Sequence, residues 1–388
     1  MRFVRFTENN ELQILRAGAE FFPALIAAIE GAQREIFLET YIFEDDAAGR
    51  PIIEALIRAA ARGVTIKLTL DWAGTGRVQS RALQRIFKPV GVQCRVFNPW
   101  FTRGISRNHR KIVVVDGHVA FLGGINIIDD FRADHDASIR LPAPRWDIAA
   151  RITGPLVAEL HRAVVTHWKQ IASFRERLVT RIRNFRRRKD LQAFTRPTVA
   201  AVVESDNFNN RRTIYRAYLQ SLAGARTSAI LANPYFAPGA RLRNALVRAA
   251  SRGVDVTLLL GVGQYHLQDA VSQSYYRQLL EAGVKIFEYR KTQLHGKVAV
   301  VDDQWATLGS TNYDGFSLFL NHEANVIVSD RAFSIALRQE IEAAIAASVP
   351  VCARDYAATR WYRHVWNHCA ALLYRNALRI LSSGNSVD

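Results

Sequence analysis

Two stretches of this 388-residue chain, 190 positions apart, read almost alike. Leu56-Ile-Arg-Ala-Ala-Ala-Arg-Gly-Val-Thr-Ile-Lys-Leu-Thr-Leu70 returns as Leu246-Val-Arg-Ala-Ala-Ser-Arg-Gly-Val-Asp-Val-Thr-Leu-Leu-Leu260. Upstream, the strand-like run Ile36–Phe43 is answered by Ile230–Phe236; downstream, Gly91–Phe97 is answered by Gly283–Phe287. An internal repeat of this length constrains the fold more than any composition does, because one architecture has to serve both copies. Each copy reads as a helix (about 20–30; about 211–223), an apolar strand, and a helix ending at Arg-Gly, where glycine suits the left-handed C′ position. A buried strand follows (Val64–Leu70; Val254–Leu260), then another helix and strand. Alternating helices and strands of these lengths define an α/β layered fold. We divide the chain into two homologous α/β domains, 1–190 and 191–345, with a tail at 346–388.

The chain is long enough for two cores, and 49% hydrophobic with 22% charged residues is ordinary globular composition. No run of about 18 apolar residues predicts a spanning helix, and Arg2, Arg5, Glu8 and Glu11 occupy the place of a signal-peptide apolar core. Cys94, Cys352 and Cys369 are too widely spaced for a disulfide framework or a cysteine zinc site. The net charge of +17 concentrates polyanions: nucleic acid, anionic membrane or phosphate-bearing substrates. Only 8 of the 52 basic residues are lysine, so each lysine is a marked choice.

Two of those lysines stand in a duplicated motif. His109-Arg-Lys111-Ile-Val-Val-Val-Asp116 precedes Gly123-Gly124-Ile-Asn126, and His295-Gly-Lys297-Val-Ala-Val-Val-Asp302 precedes Gly309-Ser310-Thr-Asn312. The spacing His-x-Lys-x4-Asp-x6-Gly-x2-Asn is the same in both. One such match by composition has a probability on the order of 10⁻⁵, and two in register with the wider repeat are not chance. Ile112–Val115 and Val298–Val301 read as central strands covered on both faces. Side chains at i and i+2 share a face, so His109 stands with Lys111 and His295 with Lys297. Asp116-Gly117 is a hairpin turn signal leading to a strand at His118–Leu122. Gly123-Gly124 permits close backbone approach, and Asn126, Asn312 and Ser310 are candidate phosphate binders. Gly124 stands where the second copy has Ser310, leaving the first copy one hydroxyl short.

Two histidines, two lysines and two asparagines make a cation-rich cup with no metal cluster, and no cofactor is implied. Phosphodiester chemistry needs a nucleophile, an acid for the leaving oxygen and fixed positive charge on the phosphoryl oxygens. One histidine can attack phosphorus while the other protonates the leaving alkoxide, and lysines act as compact point charges.

The duplicated motif resembles the His-Lys-Asp signature of the phospholipase D superfamily, over about Leu12 to Ser329. More narrowly it resembles the bacterial cardiolipin synthases, in particular their B branch. The supporting segments are Phe21–Ile29, Glu39–Asp45, Val284–Arg290, Leu294–Ser310 and Asn321–Val328. The resemblance implies two phospholipase D-type domains packed as a pseudo-dimer around one shared active site. It makes His109, Lys111, Asp116, His295, Lys297 and Asp302 the catalytic set, with the aspartates mainly shaping the site, and it favours His109 as nucleophile. It implies that Asp147 and Glu323, downstream of the motifs, orient the histidines, fixing tautomer and stabilising imidazolium. The expected activity is transfer of a phosphatidyl group between phosphatidylglycerol molecules through a phosphohistidine. The alternative is a hydrolase of the same type acting on phospholipid or nucleic acid.

Two segments suit a lipid surface. Ser173–Asp190 carries eight basic residues interleaved with Phe174, Leu178, Ile182 and Phe185, as in a basic amphipathic helix. In Tyr356–Leu381, a basic arc (Arg360, Arg363, His364, His368, Arg375) opposes an apolar one (Val365, Trp366, Cys369, Leu372, Leu373, Ala377, Ile380). The expected partner is anionic phospholipid at the cytoplasmic face of the inner membrane, bound peripherally. No obligatory protein partner is inferred, and intact motifs with interfacial helices disfavour nucleic acid.

Overall fold

The structure is a computed structural model and describes residues 4–133, 138–171, 198–205, 213–319 and 321–381. The basic segment between the halves lies outside the described residues. Fifteen strands form one sheet whose order is nearly a palindrome. From one edge the first half runs Gln93–Phe97, Thr65–Asp71, Glu35–Thr40, Ile112–Val115, Val119–Gly123, Ile148–Thr153 and Phe6–Arg16. The second half reverses this order: Thr198–Ser205, Glu323–Ser329, Trp305–Gly309, Val298–Val301, Ser228–Asn233, Asp255–Gly261, Lys285–Tyr289, with Val349–Pro350 added at the far edge. In each half three successive strands beyond the motif strand are parallel, and the motif strand joins them antiparallel; Val349–Pro350 pairs antiparallel at the edge of the second half. The sequence repeat is therefore a pseudo-twofold axis between Phe6–Arg16 and Thr198–Ser205, which pair antiparallel across a bulge between Thr7 and Asn10. Buried Asn10 bridges the seam, donating to the carbonyls of Thr7 (2.8 Å) and Thr198 (3.0 Å) and accepting from the Leu156 amide (2.8 Å).

The apolar pattern accounts for the layers. Helices Ala17–Glu30 and Gly49–Ala61 bury Leu25, Ile29, Ile52 and Leu56 on one face of the first half. Thr213–Gly224 and Ala240–Ser251 do the same in the second half. On the opposite face, Leu156–Ile171 and Arg331–Ala346 close one core fed by both halves, from Val114 and Ile152 to Val300 and Val326. The motif strands are buried at all four positions, as their uninterrupted apolar runs require. Both motif strands turn through two left-handed residues, Asp116-Gly117 and Asp302-Asp303 (φ 51–70°), the geometry of a tight hairpin.

The tail forms the helix Trp361–Leu381 and docks on the second half through a narrow seam. Asn367, Ala370, Ala371 and Leu378 are buried, and Tyr374 accepts from the Gly315 amide (2.9 Å). Trp361, Val365, Trp366, Leu372, Leu373 and Ile380 remain exposed. No helix among the described residues is long and apolar enough to cross a membrane.

Candidate active site

Both motifs open at the carboxyl ends of the parallel strands, the usual place for a site in such sheets. The two halves meet there through backbone. The amide of His109 donates to the carbonyl of His322 (2.9 Å), and that of His295 to the carbonyl of Trp146 (2.8 Å). Each bond sets a histidine beside the residue after the opposite carbonyl, and those residues are Glu323 and Asp147. The carboxylates are therefore crossed. His109 Nδ1 lies 3.1 Å from both oxygens of Glu323, and His295 Nδ1 lies 2.5 Å from Asp147 Oδ2. Each histidine is held by the other half.

Both histidines are almost fully buried, as are Lys111 and Lys297. Each lysine curls back to the carbonyl of its own histidine: Lys111 Nζ to His109 O at 2.8 Å, Lys297 Nζ to His295 O. The Tyr41 ring stands edge-on to His109 at 4.8 Å, and Lys111 lies over it at 5.2 Å. His109 Nδ1 is also 3.0 Å from the carbonyl of Ser310. A carbonyl only accepts, so Nδ1 carries the hydrogen and the lone pair of the neutral ring sits on Nε2.

The two pairs differ in ionisation. Burial holds His109 well below the ordinary histidine value, and Lys111, Lys297 and His295 add to the depression. Burial also pushes Glu323 up, to about 8, against the pull of Lys111 and the Ser310 hydroxyl. This pair is neutral near pH 7. Burial pushes Asp147 up as well, but there the charges of His295 and Lys297 win and hold it below the usual carboxylate range. Asp147 is ionised, and its short contact with His295 is charge-assisted.

A stability signature follows from the direction of these shifts. Glu323 ionises near 4.5 when unfolded but near 8 when folded, so raising the pH between those values favours the unfolded state. Below about 6.5 the depressed His109 opposes this, because there the unfolded chain takes up its proton. Between pH 6.5 and 8 only Glu323 of this pair acts. Stability to urea is expected to fall across that window, and Glu323→Gln to flatten the fall; an unchanged slope would contradict the raised value.

Among the other sequence candidates, Asn126 is buried and accepts from the Ile42 amide (3.3 Å). Asn312 carries a buried Oδ1 with no partner among the described residues. The Ser310 hydroxyl is occupied: it donates to Glu323 Oε2 (2.5 Å) and accepts from the Ala324 amide (3.0 Å), so it steadies the carboxylate instead of facing a phosphate. Its counterpart Gly124 has no room for a side chain, because a Cβ there would overlap the Asp147 carboxylate. Serine goes with the neutral Glu323, and bare glycine with the ionised Asp147. Gly124→Ala is expected to displace that carboxylate and lower turnover about 100-fold with little change in melting temperature; turnover within a few-fold of the parent would show that Asp147 has slack.

Asp116 and Asp302 are not brought to the cup. They lie past the far ends of the motif strands, roughly 20 Å along the chain from the histidines. Asp116 accepts from the amides of Gln33, Arg34 and Glu35 (2.8–2.9 Å), and Asp302 from those of Arg226, Thr227 and Ser228 (2.8–3.0 Å). They tie the hairpin to the start of the neighbouring parallel strand, which accounts for their place in the motif without chemistry. Arg110 was not singled out by the motif, yet it is buried beside His109, 3.1 Å from Glu39 and 2.9 Å from Glu204. Its signal was available: a charge at the variable position of one motif where the other has Gly296. Among the described residues no group of three or more His, Cys, Asp or Glu side chains could hold a metal ion.

This fold and duplicated motif define the phospholipase D class. The chain matches the family described as "Cardiolipin synthase, PLD-like domain" over residues 25–153 and 218–345, and it belongs to that family. It is 38% identical over 349 residues to cardiolipin synthase B of Escherichia coli K12, covering 88% of this chain and 81% of that one. It is 30% identical to the cardiolipin synthase of Clostridium perfringens, covering 86% and 70%. The crystal structure of phosphatidylserine synthase from Haemophilus influenzae superposes with a TM-score of 0.70 at 14% identity, covering 98% of this chain and 97% of that one, a likeness of fold.

Proposed function

We propose that the chain is a phosphatidyltransferase that makes cardiolipin from two molecules of phosphatidylglycerol. The observation that carries the mechanism is the crossed, unequal pair of histidines. Neutral His109, with its lone pair on Nε2, attacks the phosphorus of the first lipid and forms a P–N bond as the P–O bond to the headgroup glycerol breaks. His295, held as imidazolium by ionised Asp147, gives its proton to the departing glycerol oxygen. The headgroup of a second phosphatidylglycerol then enters. His295, now neutral, takes the proton from its glycerol hydroxyl, that oxygen attacks phosphorus, and the P–N bond breaks. The products are cardiolipin and glycerol, with both histidines restored. Lys111 and Lys297 supply fixed charge to the phosphoryl oxygens, and Asn126 and Asn312 add polar contacts. Asp116 and Asp302 act on the strand ends.

In this reading the repeats 1–190 and 191–345 each give half of the cup, while the tail within 346–388 and the basic segment 173–190 hold the enzyme on anionic lipid without spanning it, at the cytoplasmic face. The exposed Trp361, Trp366 and Leu373 of the tail helix support an interfacial role, as do Trp100 and Phe101 in the loop leading to His109. Incubation of the purified protein with phosphate-labelled phosphatidylglycerol vesicles tests the activity. Cardiolipin is the expected product, whereas phosphatidic acid alone would make the chain a hydrolase.

A further inference from the structure

The internal repeat allows a comparison inside the molecule. In the first half, Arg58 and Arg62 at the end of the helix Gly49–Ala61 are neutralised by Glu30, at 2.7 and 3.2 Å, and Glu54 lies 3.9 Å from Arg58. Arg62 Nη2 also donates to the carbonyls of Ile29 (3.0 Å) and Glu30 (2.8 Å). In the second half, Arg248 and Arg252 occupy the matching turn of Ala240–Ser251 and its C-cap. Arg252 Nη2 repeats the anchorage, donating to the carbonyls of Leu222 (2.8 Å) and Ala223 (3.4 Å). That register places Ala223 where Glu30 stands. The helix register places Asn244 at the position of Glu54 and Arg241 at that of Pro51. Both acids are gone and a third arginine has been added.

What results is an open surface pocket of about 170 Å³ lined by the exposed Arg241, Arg248 and Arg252, beside Leu219, Ala223 and the buried Ala245. The arginines recur at i, i+7 and i+11, so they share one helix face. Among the described residues no carboxylate pairs with any of them. The volume exceeds a single water's share of about 30 Å³ several-fold. Guanidinium groups favour phosphate oxygens, which they bind through paired N–H groups. The small apolar neighbours suit a ligand with a hydrocarbon stem below its phosphate, and a pocket for one group differs from the extended track that a nucleic-acid backbone follows.

We propose that this pocket is a second anion site, separate from the catalytic cup, which takes the phosphate of an anionic phospholipid headgroup. The proposal rests on the reading of the chain as a phospholipid enzyme. Binding is measured in a His109→Ala background, which does not turn phosphatidylglycerol over, so failure here is distinct from failure to form cardiolipin.

The test restores in the second half what the first half has. Ala223→Glu places an acid beside Arg248 and Arg252 and retains the helix. The probes are inorganic phosphate, a soluble short-chain phosphatidylglycerol, and vesicles of phosphatidylglycerol or phosphatidylcholine. Ala223→Glu is expected to lower the stabilisation by short-chain phosphatidylglycerol to what the catalytic cup alone gives and to weaken partition onto phosphatidylglycerol vesicles about fivefold for the charge neutralised, leaving the weak binding to phosphatidylcholine as it was. Arg241→Gln with Arg248→Gln should weaken partition by roughly 25-fold on the same scale, and it decides the matter if Ala223→Glu melts early. The proposal is overturned if the variants, folded as judged by melting temperature, bind phosphatidylglycerol like the parent. It is also overturned if inorganic phosphate or a single-stranded oligonucleotide, but not the lipid, loses affinity in Ala223→Glu.

Discussion

His109→Ala is expected to lower cardiolipin formation by roughly 10⁴-fold or more, the scale seen when a nucleophile is removed from a catalytic unit, and to leave no phosphate label on the protein with any substrate. His295→Ala should be as poor on phosphatidylglycerol, for a different reason: no acid protonates the leaving glycerol. The two separate on a phosphodiester whose leaving group needs no proton, such as a nitrophenyl ester. His295→Ala should then attack through His109 and accumulate alkali-stable, acid-labile label, because the base for the second step is missing. Both variants should melt near the parent, since the side chains line a cup. Label on His109→Ala, or near-parental turnover by either variant, would overturn the assignment. Fixed charge comes from Lys111 and Lys297 in this scheme, so EDTA should not slow the reaction.

The second large effect concerns the carboxylates. Asp147→Asn removes an ionised partner from His295 and should cost about 10³–10⁴-fold in turnover, the size of loss expected when an orienting aspartate becomes an amide. Glu323→Gln should cost no more than about tenfold at pH 7, near 1.4 kcal/mol, because Glu323 is already held protonated by burial, with a value of about 8, and an amide is a fair substitute for a neutral carboxyl. Equal losses at pH 7 would show that the two pairs share one ionisation state. A pH series adds a second check. With His109 held well below the ordinary value, the acid limb of kcat/KM should lie below pH 6.5.

Much of this was legible in the sequence, for identifiable reasons. The repeat and the uninterrupted apolar runs Ile112–Val115 and Val298–Val301 specify buried strands, and the His-x-Lys spacing puts the paired side chains on one face of each. Strand Phe6–Arg16 was not legible. It buries only Asn10 and Leu15, so a seam strand reads as a polar loop. The crossing of Asp147 and Glu323 was not legible either, because spacing along a chain says nothing of which half a side chain meets; the contacts that decide it are the backbone bonds from His109 to His322 and from His295 to Trp146. Ser310 misled for a chemical reason. A hydroxyl after a glycine looks like an anion donor, and only the distance to Glu323 shows what it serves. The motif aspartates follow from strand geometry: the four-residue strand fixes their spacing from the histidines, and one added residue would turn His and Lys to the opposite face.

The exchange of carboxylates between halves gives the molecule the mass-action behaviour of an obligate heterodimer. If the chain were cut between Ile171 and Thr198 and the fragments made separately, neither would contain a complete histidine–carboxylate pair, so each alone would be inert as a monomer. Mixed, they would regain activity in proportion to the product of their concentrations at high dilution, saturating once the short pairing of Phe6–Asn10 with Thr198–Ala201 and the shared core had brought them together. In the intact chain that dependence is replaced by an effective concentration fixed by the covalent connection. Dilution then leaves the site whole, and a lesion in either half silences the histidine of the other.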